Sequence, residues 1–428
     1  MDTTFTQSTT FNKRMIDITT IKPLSTKKNI LWNSLGSTIY QGCLWLTTVF
    51  VVLLSNSYEN SGILAFAMTV GNIFSPVAIY SIRTYQVSDI ENTHSLQNYI
   101  AFRLITISVG FALCIPYSAL ITPTENTLLA VLVFLVFKAD ESFASVCYGA
   151  EQKASRMDYI GISQSLRGIA LLVSFCLALY LTGNLFIAIG AMTIACLPIT
   201  LLYDLPHARL FGKIAPKIEL NRCFLLLKTC FPAVIAALLC GSVVAIARQC
   251  FGIQYGNEAL GIYAAVATPS VVIQLFAQYL YSPFLTPIAE KWHTQNHDDF
   301  LAYFKRVGCG ILLAIIVATL AFGFAGQPLI VLIYGASISE YTYLLPYVMI
   351  STALIAIMWF LGDVLVIFRD FKGVLIANAT AFASTLLLMG YLIDHYYMNG
   401  INVVIIFSYI IGIVVGGAFL FCQIRRKG

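Results

Sequence analysis

The sequence predicts an all-α integral membrane protein: twelve transmembrane helices in two pseudo-symmetric six-helix lobes around a central cavity. Three observations predict it. Of the 428 residues, 59% are hydrophobic and 11% charged, with a mean hydropathy of +0.82, whereas a soluble chain carries about 25% charge. Apolar runs of roughly 20 residues, the length of helix that crosses hydrocarbon, recur along the chain. The links between these runs alternate sharply in charge.

The spans fall at about 30–54, 62–82, 101–121, 127–149, 160–182, 185–204, 225–251, 259–281, 308–333, 343–367, 374–393 and 402–422. Before them, residues 1–28 form a polar tail with no apolar stretch of signal-peptide type, so the first span serves as its own insertion signal. One set of links holds all but three of the 25 Lys and Arg residues. It comprises the N-terminal tail, the segments with Arg83 and Arg103, then Lys153 and Arg156, the link after Asp204, the segments from Lys291 to Arg306 and at Arg369 and Lys372, and the tail 423–428. The opposite links, near Asn56, Thr124, Gly183, Gly256, Gly335 and Asn399, hold none. The positive-inside rule then puts both termini in the cytoplasm.

The longest basic link, 206–224, separates an N-terminal lobe (29–205) from a C-terminal lobe (225–422). The lobes carry a weak repeat. Asn60-Ser-Gly-Ile-Leu-Ala-Phe-Ala67 recurs as Ala259-Leu-Gly-Ile-Tyr-Ala-Ala-Val266, at an offset of 199. Each copy follows a Glu (Glu59, Glu258) and opens a Pro-containing helix (Pro76, Pro269). With six helices per half the repeats run parallel, a design found in transporters. Pro116, Pro232 and Pro346 add further kinks.

Charge inside a span costs roughly 2.5–3.5 kcal/mol at the bilayer centre. The three remaining cations are Lys138, Arg167 and Arg248. Lys138, Asp140 and Glu141 lie within four residues, and Arg167 re-enters after a polar turn centred near Ala154. Folded as a hairpin, Glu141 and Arg167 sit level, roughly 15–20 Å from the turn, and are placed to pair. Lys138 lies one turn deeper on the Glu141 face, and Asp140 points nearly the opposite way. Two readings stay open: a neutralised cluster that joins two helices, or a water-filled cavity where Lys138 and Arg167 present positive charge to an anion. Arg248, near the outer end of its helix, either snorkels to the interface or lines the cavity. Asp363, near the cytoplasmic end of the tenth span, is a site for a coupling cation or an interfacial acid.

Other chemistry is excluded. There is no nucleotide-binding motif. The five His residues lie in links or at a helix end, which leaves no membrane-embedded acid–base residue. The 11 Cys show no C-x-x-C spacing and mostly sit in apolar runs, so no metal, cofactor or disulfide framework is expected. The formal charge of +5 is spread over loops and does not imply nucleic acid.

The stretch Arg83-Thr84-Tyr85-Gln86-Val87-Ser88-Asp89 resembles a signature of the Wzx-type O-antigen and polysaccharide flippases. These belong to the multidrug/oligosaccharidyl-lipid/polysaccharide exporter superfamily. Similar matches are Phe137 to Asp140 through Gly149, Arg156 to Asp158, Ser165 to Arg167, Tyr203-Asp204-Leu205-Pro206, Pro283 to Trp292, and Leu332 to Gly335. The resemblance covers the chain from about Asn29. It implies translocation of an undecaprenyl-diphosphate-linked oligosaccharide to the outer leaflet of a bacterial cytoplasmic membrane by alternating access. Membrane lipids, proton or sodium coupling and other polysaccharide-assembly proteins are the implied partners. Lys138, Arg167 and Arg248, with Arg83 at the cytoplasmic mouth, are the expected diphosphate contacts, since cations offset phosphate charge and Arg binds it bidentately. Asp140, Glu141 and Asp363 are the expected coupling or charge-pairing acids. The sequence departs from expectation in the second lobe, where Arg248 stands alone among Val, Ala and Cys.

Three alternatives compete. A drug/cation antiporter of the same superfamily would favour acids over cations in its cavity. A membrane polymerase or acyltransferase of polysaccharide assembly would need a large outward loop or a membrane His. A scaffold without transport would not need buried charge.

Overall fold

In hydrocarbon each unpaired backbone N–H or C=O costs several kcal/mol, so apolar runs close their hydrogen bonds internally as helices. The computed structural model describes residues 22–427 apart from 90–92, 269, 271–273, 275–280, 282–283, 286, 289 and 293–296. Side chains are also outside the description at 297–299, 314–315, 318 and 427.

The N-terminal lobe comprises α1 Thr26–Leu53, α2 Glu59–Ile79, α3 Ile82–Ser88, α4 Leu96–Ile121, α5 Glu125–Lys153, α6 Met157–Thr182, α7 Leu185–Ile199 and α8 Leu205–Arg209. The C-terminal lobe comprises α9 Leu220–Ala267, α10 His297–Tyr334, α11 Leu345–Ile367, α12 Phe371–Tyr396 and α13 Met398–Lys427. Among the described residues, nine helices are long and apolar enough to cross a membrane. α5, with its embedded charges, is not one of them. α9 holds the expected seventh span and the start of the eighth. The rest of the eighth span, Pro269 and part of the Pro283–Trp292 motif lie outside the described residues, as does most of the N-terminal tail.

Local chemistry sets the helix ends. Ser95 and Asn98 form a capping box at α4, and Thr124 and Asn184 cap α5 and α7, each satisfying amides that the first turn leaves open. α9 breaks at Gly256, whose φ of 85° is a left-handed value open to glycine at little cost. This is where the charge pattern placed an outer turn.

One boundary differs from expectation. The second span, read as 62–82, ends at Ile79, because Tyr80 and Ser81 both turn left-handed (φ 49° and 51°). Two such residues cost about 1–2 kcal/mol each. The terminus is held from α4: Arg103 Nη1 and Thr106 Oγ1 donate to the Ala78 carbonyl at 2.5 and 2.8 Å. Arg103 is fully buried, not one of the loop cations its position suggested. It meets the negative end of the α2 dipole.

Within the lobes, α1 packs on α6 and α2 on α5, and α13 packs on α11 and α12. The apolar core runs through both lobes, from Val70 and Phe134 to Val348 and Tyr409. Large apolar side chains such as Leu120, Leu202, Leu332 and Leu387 face outward, as a hydrocarbon solvent requires. The 206–224 linker is strapped to the N-terminal lobe. Gln97 Nε2 donates to the Ala215 carbonyl at 2.9 Å, Asn98 Nδ2 to Lys217 at 3.2 Å, and Arg222 Nη1 to Thr93 at 3.0 Å.

Candidate functional site, a cavity between the lobes

A cavity of about 670 Å³ lies between the lobes. It runs from Ser61 and Leu64 on α2 to Pro76, Ile79 and Ser81 at the other end of that helix, with the opposite wall from α9, α11 and α13. Its charged lining among the described residues is Lys138, Glu141 and Arg248. Two cations face one acid, so the wall formed by the described residues is net positive. Gln41, Asn72 and Gln274 add uncharged polar groups, and Trp45, Tyr263 and Trp359 add aromatic faces.

Lys138 comes from α5 in one lobe and Arg248 from α9 in the other. Lys138 Nζ lies 2.6 Å from Glu141 Oε2, one helical turn on, as their three-residue spacing dictates. The lysine side chain is 13% exposed and the glutamate 30%, so both reach the cavity. Arg248 sits over the Tyr263 ring, 5.6 Å from its centroid, and its Nε has no hydrogen-bond partner. Arg248 therefore lines the cavity instead of snorkelling.

Arg167 is placed elsewhere. It is buried behind α5, away from the cavity lining. Its Nη1 lies 2.7 Å from Asp140 Oδ2, and its Nη2 donates to Asp204 Oδ2 at 3.0 Å and to Thr200 Oγ1. Thr200 Oγ1 in turn donates to Asp140 Oδ1 at 2.5 Å. The expected Glu141–Arg167 pair does not form. Asp140, one residue earlier, points toward α6, while Glu141 points into the cavity with Lys138. A π-helical turn, Thr200–Asp204, follows α7 and carries the acceptors Thr200 and Asp204 to Arg167. Arg167 thus joins helices through a charge cluster with Asp140 and Asp204, and it does not share the cavity with Lys138 as the second reading expected.

Arg83 lies at the basic-loop end. Its Nε donates to Gln152 Oε1 at 3.0 Å and its guanidinium lies 5.7 Å from the Tyr148 ring centroid. The rest of the Arg83–Asp89 motif ties α3 to its neighbours. Lys153 Nζ donates to the Asp89 carbonyl. The buried Asp89 carboxylate accepts from Tyr99 Oη at 2.7 Å, Thr93 N at 2.9 Å, Thr93 Oγ1 at 2.8 Å and His94 N at 3.1 Å. Burial works to raise the Asp89 pKa. The hydrogen bonds from Tyr99, Thr93 and His94 outweigh it and hold the carboxyl well below the usual carboxylate range. Asp363, on α11, accepts from Tyr281 Oη at 3.0 Å.

Sequence reasoning missed the end of the cavity remote from the basic loops. There α2 crosses α9 at Gly62 and Gly261. A Cβ on Gly62 would lie 1.7 Å from the Asn257 carbonyl oxygen, and one on Gly261 would lie 1.9 Å from that of Tyr58. Both pairs are related by the repeat offset of 199, so the recurring octapeptides pack against each other across the lobe boundary. Hydrogen bonds close the same end. Tyr117 Oη donates to Gln249 Oε1 at 2.5 Å, Gln249 Nε2 to Thr69 Oγ1 at 3.0 Å, and Asn257 Nδ2 to Thr127 Oγ1 at 2.9 Å. The buried Asp204 and Glu151 were also missed.

No family model matches the chain. It is 22% identical over 321 residues to the capsular polysaccharide biosynthesis protein CapF of Staphylococcus aureus, covering 73% of this chain and 78% of that one. Its fold is similar to that of the lipid II flippase MurJ in an inward closed conformation, with a TM-score of 0.73, 14% identity and coverage of 93% and 90%. It is also similar to an inward-facing multidrug resistance MATE transporter of the MOP superfamily, with a TM-score of 0.70, 10% identity and coverage of 92% and 98%. The chain has the two-lobed, all-helical fold of these membrane transporters.

Proposed function

We propose that the protein is a flippase. It carries a lipid-diphosphate-linked oligosaccharide of polysaccharide assembly across the bacterial cytoplasmic membrane by alternating access. The observation that carries this reading is the net-positive cavity with one cation from each lobe, Lys138 and Arg248. A diphosphate crossing about 30 Å of hydrocarbon needs charge-assisted partners. Arg248 has an unpartnered Nε to offer, and Lys138 can exchange its Glu141 contact for phosphate. The similarity to a flippase fold and to a capsular polysaccharide biosynthesis protein supports the reading.

In this reading Arg167 positions α5, α6 and α7, and Arg83 meets substrate at the cytoplasmic mouth. The Gly62–Gly261 crossing seals the outer end, with both termini cytoplasmic, so the described state faces inward. Proton or sodium gradients drive the cycle. An antiporter for organic cations is the second reading; Glu141 is the acid that would serve it, and the two cations beside it argue against it.

The test is deletion of the gene in the native host, with complementation by wild type, Lys138→Ala and Arg248→Ala at matched protein levels. The expected result is loss of surface polymer with accumulation of lipid-linked intermediates, rescued by wild type and not by either variant. Normal polymer without accumulation in the deletion strain, with no redundant transporter present, overturns the proposal.

A further inference from the structure

Glu151 lies outside the cavity lining, in the last turn of α5. It is fully buried, and neither carboxylate oxygen has a hydrogen-bond partner. Asp204, also fully buried, leaves its Oδ1 without a partner. Asp204 belongs to the Arg167 cluster, and its charge acts on Glu151.

No cation near Glu151 bonds either of its oxygens. Arg167 divides its guanidinium among Asp140, Thr200 and Asp204. Arg156 is bidentate on Asp158, at 2.9 and 2.7 Å. Arg83 holds Gln152 from α3. Arg103, on α4, holds the end of α2 through Nη1, and its buried Nε and Nη2 have no partner, so they do not reach Glu151 either. Burial pushes the Glu151 carboxyl up, the Asp204 and Asp158 carboxylates push it the same way, and Arg83 and Arg156 oppose them. Tyr148 on α5 is bonded to Ser163 at 2.8 Å. An ionised carboxylate so placed would be dry, unbonded and opposed by another carboxylate, an arrangement that proteins avoid by neutralising the group.

We infer that Glu151 is a proton-binding site: it carries a proton in this state of the molecule, and proton coupling runs through it and Asp204. The coupling half of the inference rests on the transporter reading; the proton itself does not. The step is simple in balance, since a solvent proton adds to one carboxylate oxygen and leaves from it. Glu151 lies three residues from the α5–α6 turn at Ala154, on the basic-loop side, so exchange occurs with that side. Asp140 and Asp363 are weaker candidates, because both Asp140 oxygens are bonded and Asp363 is held by Tyr281.

Infrared spectroscopy of the full chain in lipid nanodiscs tests this. Wild type at neutral pH should show the C=O stretch of a protonated carboxylic acid, shifted in D2O. Glu151→Gln, a neutral isostere, should remove that band and fold as wild type does. Asp204→Asn should keep it at neutral pH. Absence of the band in wild type, its persistence in Glu151→Gln, its loss only in Asp204→Asn, or failure of Glu151→Gln to fold would each overturn the site. In cells, Glu151→Gln at normal protein level should lower polymer export more than tenfold, and full complementation would overturn the coupling role. Loss of the infrared band in Glu151→Gln, with no intermediates accumulating in the deletion strain, leaves the proton site standing and removes the flippase reading.

Discussion

Replacing Gly62 or Gly261 with Ala should open the sealed end of the cavity. The magnitude follows from the crossing. The added methyl would lie 1.7 or 1.9 Å from a backbone carbonyl oxygen, where contacts under 3.0 Å are essentially never found. Each obstacle is main chain in a helix end, which cannot rotate aside like a side chain, so α2 and α9 must separate by an ångström or more. Overpacking of this kind costs about 1–3 kcal/mol and occasionally more. The penalty falls on the state in which the helices cross, so it shifts the equilibrium toward states in which they are apart, by about fivefold to more than a hundredfold. Cys240 lines the cavity and serves as a native reporter. With the other cysteines replaced, a membrane-impermeant maleimide applied outside intact cells should label Cys240 at least tenfold faster in either glycine variant. The double variant should add little, because both methyls strain the same crossing and the first already separates it. Unchanged labelling, with normal protein level and thermal stability, would refute the argument that this crossing seals the cavity.

Lys138→Ala and Arg248→Ala should each lose a charge-assisted contact, worth about 1.5–3 kcal/mol, and so slow export roughly tenfold to a hundredfold in a lipid-linked intermediate assay. Arg248→Lys should rescue only part, because a point charge replaces a planar fork. Arg167→Met should act differently, since it leaves Asp140 and Asp204 buried without their cation. Breaking such a pair costs about 3–5 kcal/mol, and the expected result is a large fall in melting temperature and membrane protein level, with no selective transport defect. Asp89 has a folded pKa held below its unfolded value of about 3.9. Its contribution is therefore fully present above about pH 4 and lost as acid approaches the folded value. Melting of wild type in detergent should fall over that acid window, and Asp89→Asn should be less stable at neutral pH with a flatter acid limb.

The spans were legible because their signals are one-dimensional: apolar length, loop charge and turn residues. The link at Gly256, free of Lys and Arg, marked a turn, and the helix breaks there. Long-range partners were harder. Counting depth about Ala154 placed Arg167 level with Glu141, and the side chain pairs one residue earlier, with Asp140. Because successive helical residues point about 100° apart, a depth estimate good to one residue cannot choose between two faces. The same count about the next turn, Gly183 and Asn184, places Arg167 level with Thr200, which it does contact. That signal was present and unused. Arg103 looked like a loop cation because nothing local announces that α2 ends at two left-handed residues and that the Ala78 carbonyl before them takes its donors from α4.

The repeat, weak as sequence, gains weight from geometry. Chance similarity between two apolar octapeptides would not place Gly62 against Asn257 and Gly261 against Tyr58, two contacts related by the same offset of 199. A pseudo-symmetric crossing is self-complementary, so each lobe supplies the space the other needs. The cavity below it lacks that symmetry, with Lys138 and Glu141 on one wall and Arg248 on the other. In the proposed cycle this division has a consequence. A diphosphate touching both cations binds best when the lobes stand at one separation, and only such differential affinity lets a ligand shift a two-state equilibrium. The symmetric crossing then supplies the hinge-like contact that must break, and the asymmetric wall supplies the binding energy that biases when it breaks. A variant with both cations moved to one lobe should bind the substrate headgroup yet fail to couple its binding to opening.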